Sequence, residues 1–525
     1  MYIKYKKEVF IFFGLLIFSF HFSCTSIKEM NYAVTEKKHK PAELIKDVNF
    51  AYTLLTKGHP GVYWYISKEQ LDLKFDSLKQ TLTSPLTTKE FYKKLAPTIA
   101  EIKCGHTRLV LVTKRINKKE KDSLAKLNKP INQFGYKIIN DKLYVNSFNK
   151  ENNQAKKGDE ILAIAGISSS EIINNLAKNY ASDGFNQTFK PAVLNRAFSG
   201  WYSVIYENTD TLDFKIKNRD SIFNLTLTTI KREEKKDSLN GKKQVVKLSK
   251  DSLLAKKKIA EEKLRDRYKG SDELKKPILD LNFLAKDSSI AYLKVKSFSF
   301  PYANFDRFFK ESFIAMKKGK TKDLIIDLRD NGGGSLDACR NLFSYLVDEK
   351  FVYLSESQIN KKFNPYWQGK GVMNALKGLS FELTSSKVLE EEYGYYKLKF
   401  KGMKPLQPNK NNYDGKVYVL INGYSFSASA LLSSNLQQIK RATFVGQETG
   451  GAYNGCVAGN IPNLNLPNSK LMLRMGLYPV LPNAHTETIG RGVFPDKEII
   501  TTIEDIVAGR DKELEWVLND IKNKI

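Results

Sequence analysis

The chain has few of the residues that build metal centres and cross-links. Its 525 residues include four cysteines and five histidines. Cys104, Cys339 and Cys456 lie far apart in the sequence, and no CxxC pair occurs. This pattern argues against a disulfide framework and against a zinc site. We therefore expect three reduced, buried cysteines and no bound metal. We also expect no organic cofactor.

The apolar run at the N-terminus is too short to cross a membrane. It extends over 12 residues from Val9 to Phe20, whereas a bilayer-spanning helix needs about 20. Lys4, Lys6 and Lys7 precede it, and this order is typical of a secretory signal peptide. We therefore predict that residues 1–23 are a signal peptide and that the protein is exported.

Ser23 and Cys24 follow the apolar run after His21 and Phe22, and they resemble the cleavage site of a bacterial lipoprotein. The resemblance implies that Cys24 carries a lipid and that residues 24–41 form a tether. His21 and Phe22 depart from the usual pattern, so an ordinary signal peptide with an incidental cysteine is the alternative. The expected location is the cell envelope, on the periplasmic or extracellular face of a bacterial membrane.

The strong positive charge does not indicate a nucleic-acid-binding protein. The formal net charge is +28, but residues 231–276 alone hold 17 Lys or Arg against 9 Asp or Glu. About 8 units of charge thus lie in one segment with few large apolar residues, and no DNA or RNA motif accompanies it. We interpret it as a basic, solvated insertion and expect no nucleic-acid partner.

The rest of the chain divides into three segments with different patterns. Residues 42–115 show helical periodicity, with helix starts at Ser67 and Thr87. Residues 130–230 are rich in predicted strands and contain Lys157-Gly-Asp-Glu-Ile-Leu-Ala-Ile-Ala-Gly166, which resembles the core of a PDZ domain. Residues 277–515 alternate strands with helices, which predicts an α/β domain with a largely parallel sheet.

Two segments of the α/β region place chemically useful groups at strand ends. In Ser425-Phe-Ser-Ala-Ser-Ala430 a serine stands between an apolar strand and a helix, where helix N–H groups stabilise negative charge. Asp327-Leu-Arg-Asp-Asn-Gly-Gly-Gly334 ends a strand with three glycines, which can present free N–H groups to an oxyanion. Neither P-loop nor G-x-G-x-x-G spacing is present, so a phosphate site is disfavoured. A helix cap and an ordinary turn remain the structural alternatives.

Three further segments complete the set of candidates. Cys104-Gly-His-Thr107 offers a histidine between a helical segment and a strand. Gly446-Gln-Glu-Thr-Gly-Gly-Ala452 and, further on, His485-Thr-Glu-Thr-Ile-Gly-Arg-Gly-Val-Phe-Pro-Asp496 are glycine-rich loops. Each segment alone is more often structural than catalytic.

In this order the segments resemble peptidase family S41, the tail-specific or C-terminal processing proteases. The resemblance implies a ClpP/crotonase-like α/β catalytic domain with an N-terminal helical domain and an inserted PDZ-like domain. It places Ser427 at the nucleophile position and the oxyanion donors at Gly333 and Ala428. The lysine base of many members would stand at position 452, which is alanine here.

A tricorn-like branch of the family instead uses a histidine and a glutamate. His106 matches that histidine, and Glu487 is the nearest carboxylate for the second role, although the matching position is Ile489. The expected activity is hydrolysis of peptide bonds in unstructured proteins or peptides. The alternatives are an inactive peptide-binding lipoprotein of the same fold and, less favoured, an acyl-transfer enzyme that uses coenzyme A.

Overall fold

The computed structural model describes residues 31–524 except 33, 149–153, 220, 232–265, 273–274 and 300–302. The predicted signal peptide, Cys24 and most of the basic insertion therefore lie outside the described residues. Within them, no helix combines the length and apolar character needed to cross a bilayer.

The N-terminal unit is a small helical layer, as the periodicity predicts. Ser67 and Thr87 each accept a hydrogen bond from the residue three positions on, so both predicted helix starts are confirmed. The unit contains β1 (Lys38–His39), α1 (Pro41–Gly58), α2 (Lys68–Gln80), β2 (Leu86–Thr87), α3 (Thr88–Ala100) and β3 (Arg108–Val110).

The segment expected to be a free tether contacts the folded protein. The side chain of Asn31 bonds the backbone O and N of Arg115 at 2.7 and 2.8 Å. Strand β1 pairs with β2, and His39 is buried there. Any free tether must therefore end before Asn31, about ten residues earlier than the sequence suggests.

The second unit packs two helices against a six-stranded antiparallel sheet. Its elements are α4 (Lys118–Ala125), β4 (Leu127–Asn128), β5 (Phe134–Ile139), β6 (Lys142–Phe148), β7 (Glu160–Ile164), β8 (Ile167–Ser168), α5 (Ser169–Ala177), α6 (Phe189–Ile205), β9 (Thr211–Asn218), β10 (Ser221–Thr228) and β11 (Ile230–Lys231). The strand order is β10-β9-β7-β6-β5, with β8 beside β7. Asn195 of α6 bonds the backbone N and O of Ile138, so it covers part of the edge strand β5.

The third unit alternates strands and helices around a six-stranded sheet. Its elements are β12 (Leu279–Phe283), β13 (Ile290–Val295), α7 (Phe305–Lys318), β14 (Asp323–Asp327), α8 (Leu336–Ser344), β15 (Gln358–Ile359), α9 (Val372–Ser385), β16 (Leu389–Glu392), β17 (Tyr395–Leu398), β18 (Lys416–Ile421), α10 (Ala428–Gln438), β19 (Thr443–Gly446), β20 (Cys456–Val457), β21 (Asn463–Asn465), β22 (Met472–Arg474), β23 (Pro479–Val480), β24 (Lys497–Glu498), α11 (Ile503–Ala508) and α12 (Lys512–Lys522). The strand order of the sheet is β12-β13-β14-β18-β19-β24, and all its strands except β12 are parallel. This confirms the predicted α/β pattern.

Two strand pairings bring the candidate segments together. β14 and β18 are parallel neighbours, so the glycine loop after Asp327 and the serine loop after Ile421 leave the same edge of the sheet. β22 pairs with β3 of the N-terminal unit. This second pairing fixes the Gly-His-Thr segment against the α/β unit.

An ion network around the buried Asp327 carboxylate fixes the glycine loop to the C-terminal helix. Arg329 bonds both carboxylate oxygens of Asp327 and both of Asp511, at 2.6–2.9 Å, and approaches Glu513. Burial raises the pKa of Asp327, but the bonds and charge of Arg329, with Lys294, bring it down to about 2. The loop therefore starts from a rigid anchor.

Replacing Arg329 tests this anchor. Arg329→Met leaves the Asp327 carboxylate buried without its main partner, so we expect the free energy of unfolding to fall by about 3–5 kcal/mol. Chemical denaturation followed by circular dichroism measures it. Arg307→Met is the matched control, because Arg307 forms an exposed pair with Glu311 and its loss should change stability by less than about 1 kcal/mol. Equal effects of the two substitutions would contradict the anchor.

Candidate active site

Ser427 lies on a sharp turn between β18 and α10. Its backbone has φ 55° and ψ −127°, a conformation that costs a non-glycine residue of the order of 1–3 kcal/mol. Ser425 stabilises the turn, since its hydroxyl donates to Leu328 O and accepts from Asn422 N. Ser427 occupies the N-cap position of α10, yet its side chain caps nothing. Strain at this serine is therefore not explained by helix capping.

The hydroxyl of Ser427 instead meets His106. The Nε2 of His106 lies 3.0 Å from Ser427 Oγ, across 321 residues of sequence. The His106 ring stacks on Phe426 at 4.7 Å between centroids, and Phe426 stacks on Phe189 in turn. His106 is 8% exposed. The structure thus brings together the two residues that the sequence analysis selects as nucleophile and base.

The surroundings of His106 keep its imidazole neutral. Burial, together with the positive charges of Arg474 and Arg108, lowers the pKa of His106 to about 3. A neutral imidazole can accept a proton from Ser427, and a protonated one cannot. The histidine is therefore in the form that a general base requires throughout the neutral range.

Asp183 is a residue of this site that the sequence analysis missed. Its carboxylate accepts a hydrogen bond from Gly105 N at 2.7 Å and lies 3.5 Å from Ala452 N. One of its oxygens is within 4.8 Å of a ring nitrogen of His106. Burial raises the pKa of Asp183 to about 7, against the effect of its two backbone contacts. The only sequence signal is the Asp-Gly pair at 183–184, which indicates a turn and nothing catalytic.

Glu487 does not join this group in the structure. Its side chain is 97% exposed and lies 3.3 Å from His485 Nε2. His106 Nδ1 is buried and has no hydrogen-bond partner among the described residues. The buried glutamate of the neighbouring loops is Glu448, which bonds Arg491 and Gly492 N and so holds the two loops together.

The N–H groups of the two proposed oxyanion donors differ in whether they already have a hydrogen-bond acceptor. Ala428 is the first residue of α10, and the first N–H groups of a helix have no intrahelical acceptor. Gly333, with φ +91°, lies against Ser427 and Ala428 so closely that a Cβ would stand 2.7–2.8 Å from their atoms. Its N–H, however, donates to Asn331 Oδ1 at 2.9 Å. In this conformation the Gly333 N–H is therefore not free to bind an oxyanion.

Position 452, where many S41 members would have the lysine base, is occupied by a small residue in a closely packed region. Ala452 is buried, and Gly451 next to it lies against Ser427 N and Ala430. Lys401 lines the cavity in front of Ser427, but it is exposed and the serine hydroxyl bonds His106. The geometry therefore favours a histidine base and not a lysine base.

A cavity of about 320 Å³ opens beside Ser427. Asp337 and Lys401 contribute charged groups to it. Apolar side chains line another part of the wall, and they are Leu336, Phe400, Leu431, Cys456, Ala458 and Val480. A cavity of this kind next to a nucleophile can accept one side chain of a bound substrate.

A strained serine at a strand–helix turn, bonded to a neutral histidine, is the arrangement of a serine-type hydrolase. Residues 289–499 match the model of peptidase family S41. This match covers less than half of the chain, and together with the site it supports a serine-type peptidase of the S41 type.

Two of the similar solved structures share this fold. Mature CPAF aligns with a TM-score of 0.57 and 15% identity over 89% of this chain and 94% of that chain. CPAF complexed with lactacystin gives 0.59 and 16% over 92% and 98%. The photosystem II D1 C-terminal processing protease gives 0.39 and 12% over 87% and 93%. At these identities the CPAF structures show a shared fold. The search of curated proteins finds no match.

The lowered pKa of His106 predicts an unusual pH dependence. A histidine of pKa 6.5 would lose its activity as base between pH 8 and 5, whereas one of pKa about 3 stays neutral throughout. Asp183, with a pKa of about 7, can add an inflection of its own. We therefore expect the rate of labelling by a fluorophosphonate, measured in metal-free buffer, to be flat from pH 8 to 5 in Asp183→Asn. A remaining acid limb near pH 6.5 in that variant would contradict the neutral, buried histidine.

Proposed function

We propose that this protein is an exported endopeptidase that hydrolyses peptide bonds in unstructured proteins or peptides, with Ser427 as nucleophile and His106 as general base. The observation that carries the proposal is the 3.0 Å contact between His106 Nε2 and Ser427 Oγ at a strained turn. The family and the serine-type class of the enzyme support it.

The reaction follows from the geometry. His106 accepts the hydroxyl proton of Ser427 as Oγ attacks the substrate carbonyl, and it then protonates the leaving amine. The tetrahedral oxyanion is held by Ala428 N–H. Gly333 N–H becomes the second donor when it turns from Asn331 Oδ1, a rotation that the run of three glycines permits. Water then hydrolyses the acyl-enzyme, with His106 again as base.

Asp183 acts in this proposal as the positioning residue for the histidine. By holding Gly105 N and approaching Ala452 N, it fixes the Gly-His-Thr segment against the loop beside Ser427. Glu487 has no such contact. The role that the resemblance assigns to a glutamate is therefore transferred, in our proposal, to a buried aspartate from a different segment.

Cleavage of casein by the purified protein and its variants tests the assignment. Ser427→Ala and His106→Ala should each lower the rate by at least about 10³-fold, because nucleophile and base act as one unit. Glu487→Gln, an exposed residue of the same region, is the matched control and should stay within about twofold of the wild type. A wild type without activity would favour the alternative of an inactive peptide-binding protein. Full activity in His106→Ala would rule out His106 as the general base.

The apolar side chains in the cavity beside Ser427 suggest that a medium-sized apolar residue precedes the cleaved bond. Ala458→Phe would fill part of it, and we expect kcat/KM for peptides with Leu at that position to fall by about 10- to 200-fold. Peptides with Ala at that position should be affected much less. Labelling by a small fluorophosphonate serves as the control for an intact Ser427. An equal loss for both peptides would show that this cavity does not select the substrate.

The proposal also includes the cell-envelope location and peptide capture by the second unit. Lipid on Cys24 would hold the enzyme at a membrane. Intact-protein mass spectrometry of the membrane fraction tests this anchor, because Cys24→Ala should lack the mass of the lipid.

A PDZ-like unit would add a substrate peptide as a strand at β5. Because Asn195 covers part of this edge, capture there requires the Asn195 side chain to move.

A further inference from the structure

Three side chains of types that bind metals, one of them the catalytic histidine, lie close together. The Sγ of Cys104, a ring nitrogen of His106 and a carboxylate oxygen of Asp183 are all within 4.8 Å of one another. All three residues are buried. They come from two segments that are 78 residues apart and that Asp183 joins through Gly105 N. The cluster is therefore part of the folded site and not an arrangement of mobile surface groups.

Each of the three side chains still has an atom to offer. Nε2 of His106 is bonded to Ser427, but its Nδ1 is buried and without a partner in the described part of the chain. The sulfur of Cys104 makes a long contact of 3.9 Å to Val457 O and also interacts with the Thr107 side chain and the His106 backbone. The Asp183 oxygen that faces Ala452 N does so at 3.5 Å, a weak hydrogen bond.

Thiolate, imidazole and carboxylate are the ligands that Zn²⁺ prefers. A thiolate and a carboxylate also balance its two positive charges, which matters at a site removed from water. Zinc–ligand distances of about 2.0–2.3 Å place ligand atoms about 3.2–3.8 Å apart, so the cluster must contract by roughly 1 Å. Water can complete the tetrahedron.

We propose that Cys104, His106 and Asp183 form an inhibitory Zn²⁺ site, an inference that rests on the proposed role of His106 as base. Binding releases the thiol proton of Cys104 to solvent and occupies the lone pair of His106 Nδ1. The imidazole then carries its proton on Nε2. Nε2–H can donate to Ser427 Oγ but cannot accept its proton, so the serine is no longer activated. Removal of the ion restores the base.

Metal binding is measured without reference to activity. Cobalt(II), added to the full-length protein in detergent, should produce a thiolate–cobalt charge-transfer band in the near ultraviolet, saturating at one equivalent. Cys104→Ala should lose the band. Cys339→Ala is the matched control, because Cys339 is another buried, free cysteine but lies in the core of the α/β unit. Absence of the band in the wild type, or its persistence in Cys104→Ala, overturns the site.

The effect on catalysis is measured by fluorophosphonate labelling with and without Zn²⁺. Zinc should slow labelling of the wild type and of Cys339→Ala by about 10²-fold or more, the contribution of a general base, and EDTA should reverse it. Cys104→Ala should label at the wild-type rate and resist zinc.

The outcomes separate the two proposals. A metal-free wild type that does not label refutes the proposed peptidase function, while the cobalt band still tests the cluster. A wild type that labels but is insensitive to zinc refutes the inhibitory site alone. Equal zinc inhibition of wild type and Cys104→Ala also refutes it, because the ion then acts elsewhere.

Discussion

The hydrogen bond between His106 and Ser427 is the contact on which the function of this fold depends. Its two residues belong to different units, and neither unit contains a complete site. The pairing of β3 with β22 positions the histidine, and the parallel sheet positions the serine. A displacement of either unit by one ångström would lengthen a 3.0 Å contact beyond hydrogen-bonding range.

The surrounding structure can be understood as support for this contact. The turn at Ser427 is strained, and a strained backbone persists only where its neighbours determine it fully. Here Ser425 ties the turn to Leu328, Phe426 N bonds Asn331 O, and the ring of Phe426 supports the histidine. The Arg329 network then anchors the glycine loop to the C-terminal helix. Burial of the His106 ring in this packing also lowers its pKa and keeps the imidazole neutral.

Much of this arrangement is predictable from the sequence because it depends on the residue pattern of short segments. The helix starts at Ser67 and Thr87, the alternating strands and helices of the α/β unit, and the serine at a strand end all follow from short-range rules. The resemblance to S41 peptidases then selects His106, which no local pattern distinguishes from a structural histidine.

Other features could not be predicted, because they depend on contacts between distant segments. Asp183 reaches the site only through the packing of its loop on Gly105, and the sequence shows an ordinary Asp-Gly turn. Glu487 is near in sequence to the matching position, yet the loop turns its side chain to solvent. The bond between Gly333 N–H and Asn331 is a conformational detail that motif spacing does not encode.

The most direct test of the account is to locate the residue that becomes covalently modified. After treatment with a fluorophosphonate, proteolytic digestion and tandem mass spectrometry identify the labelled side chain. The account predicts a single adduct on Ser427 in the wild type and almost none in His106→Ala at equal time. An adduct on another serine, or equal labelling of Ser427 without the histidine, would contradict it.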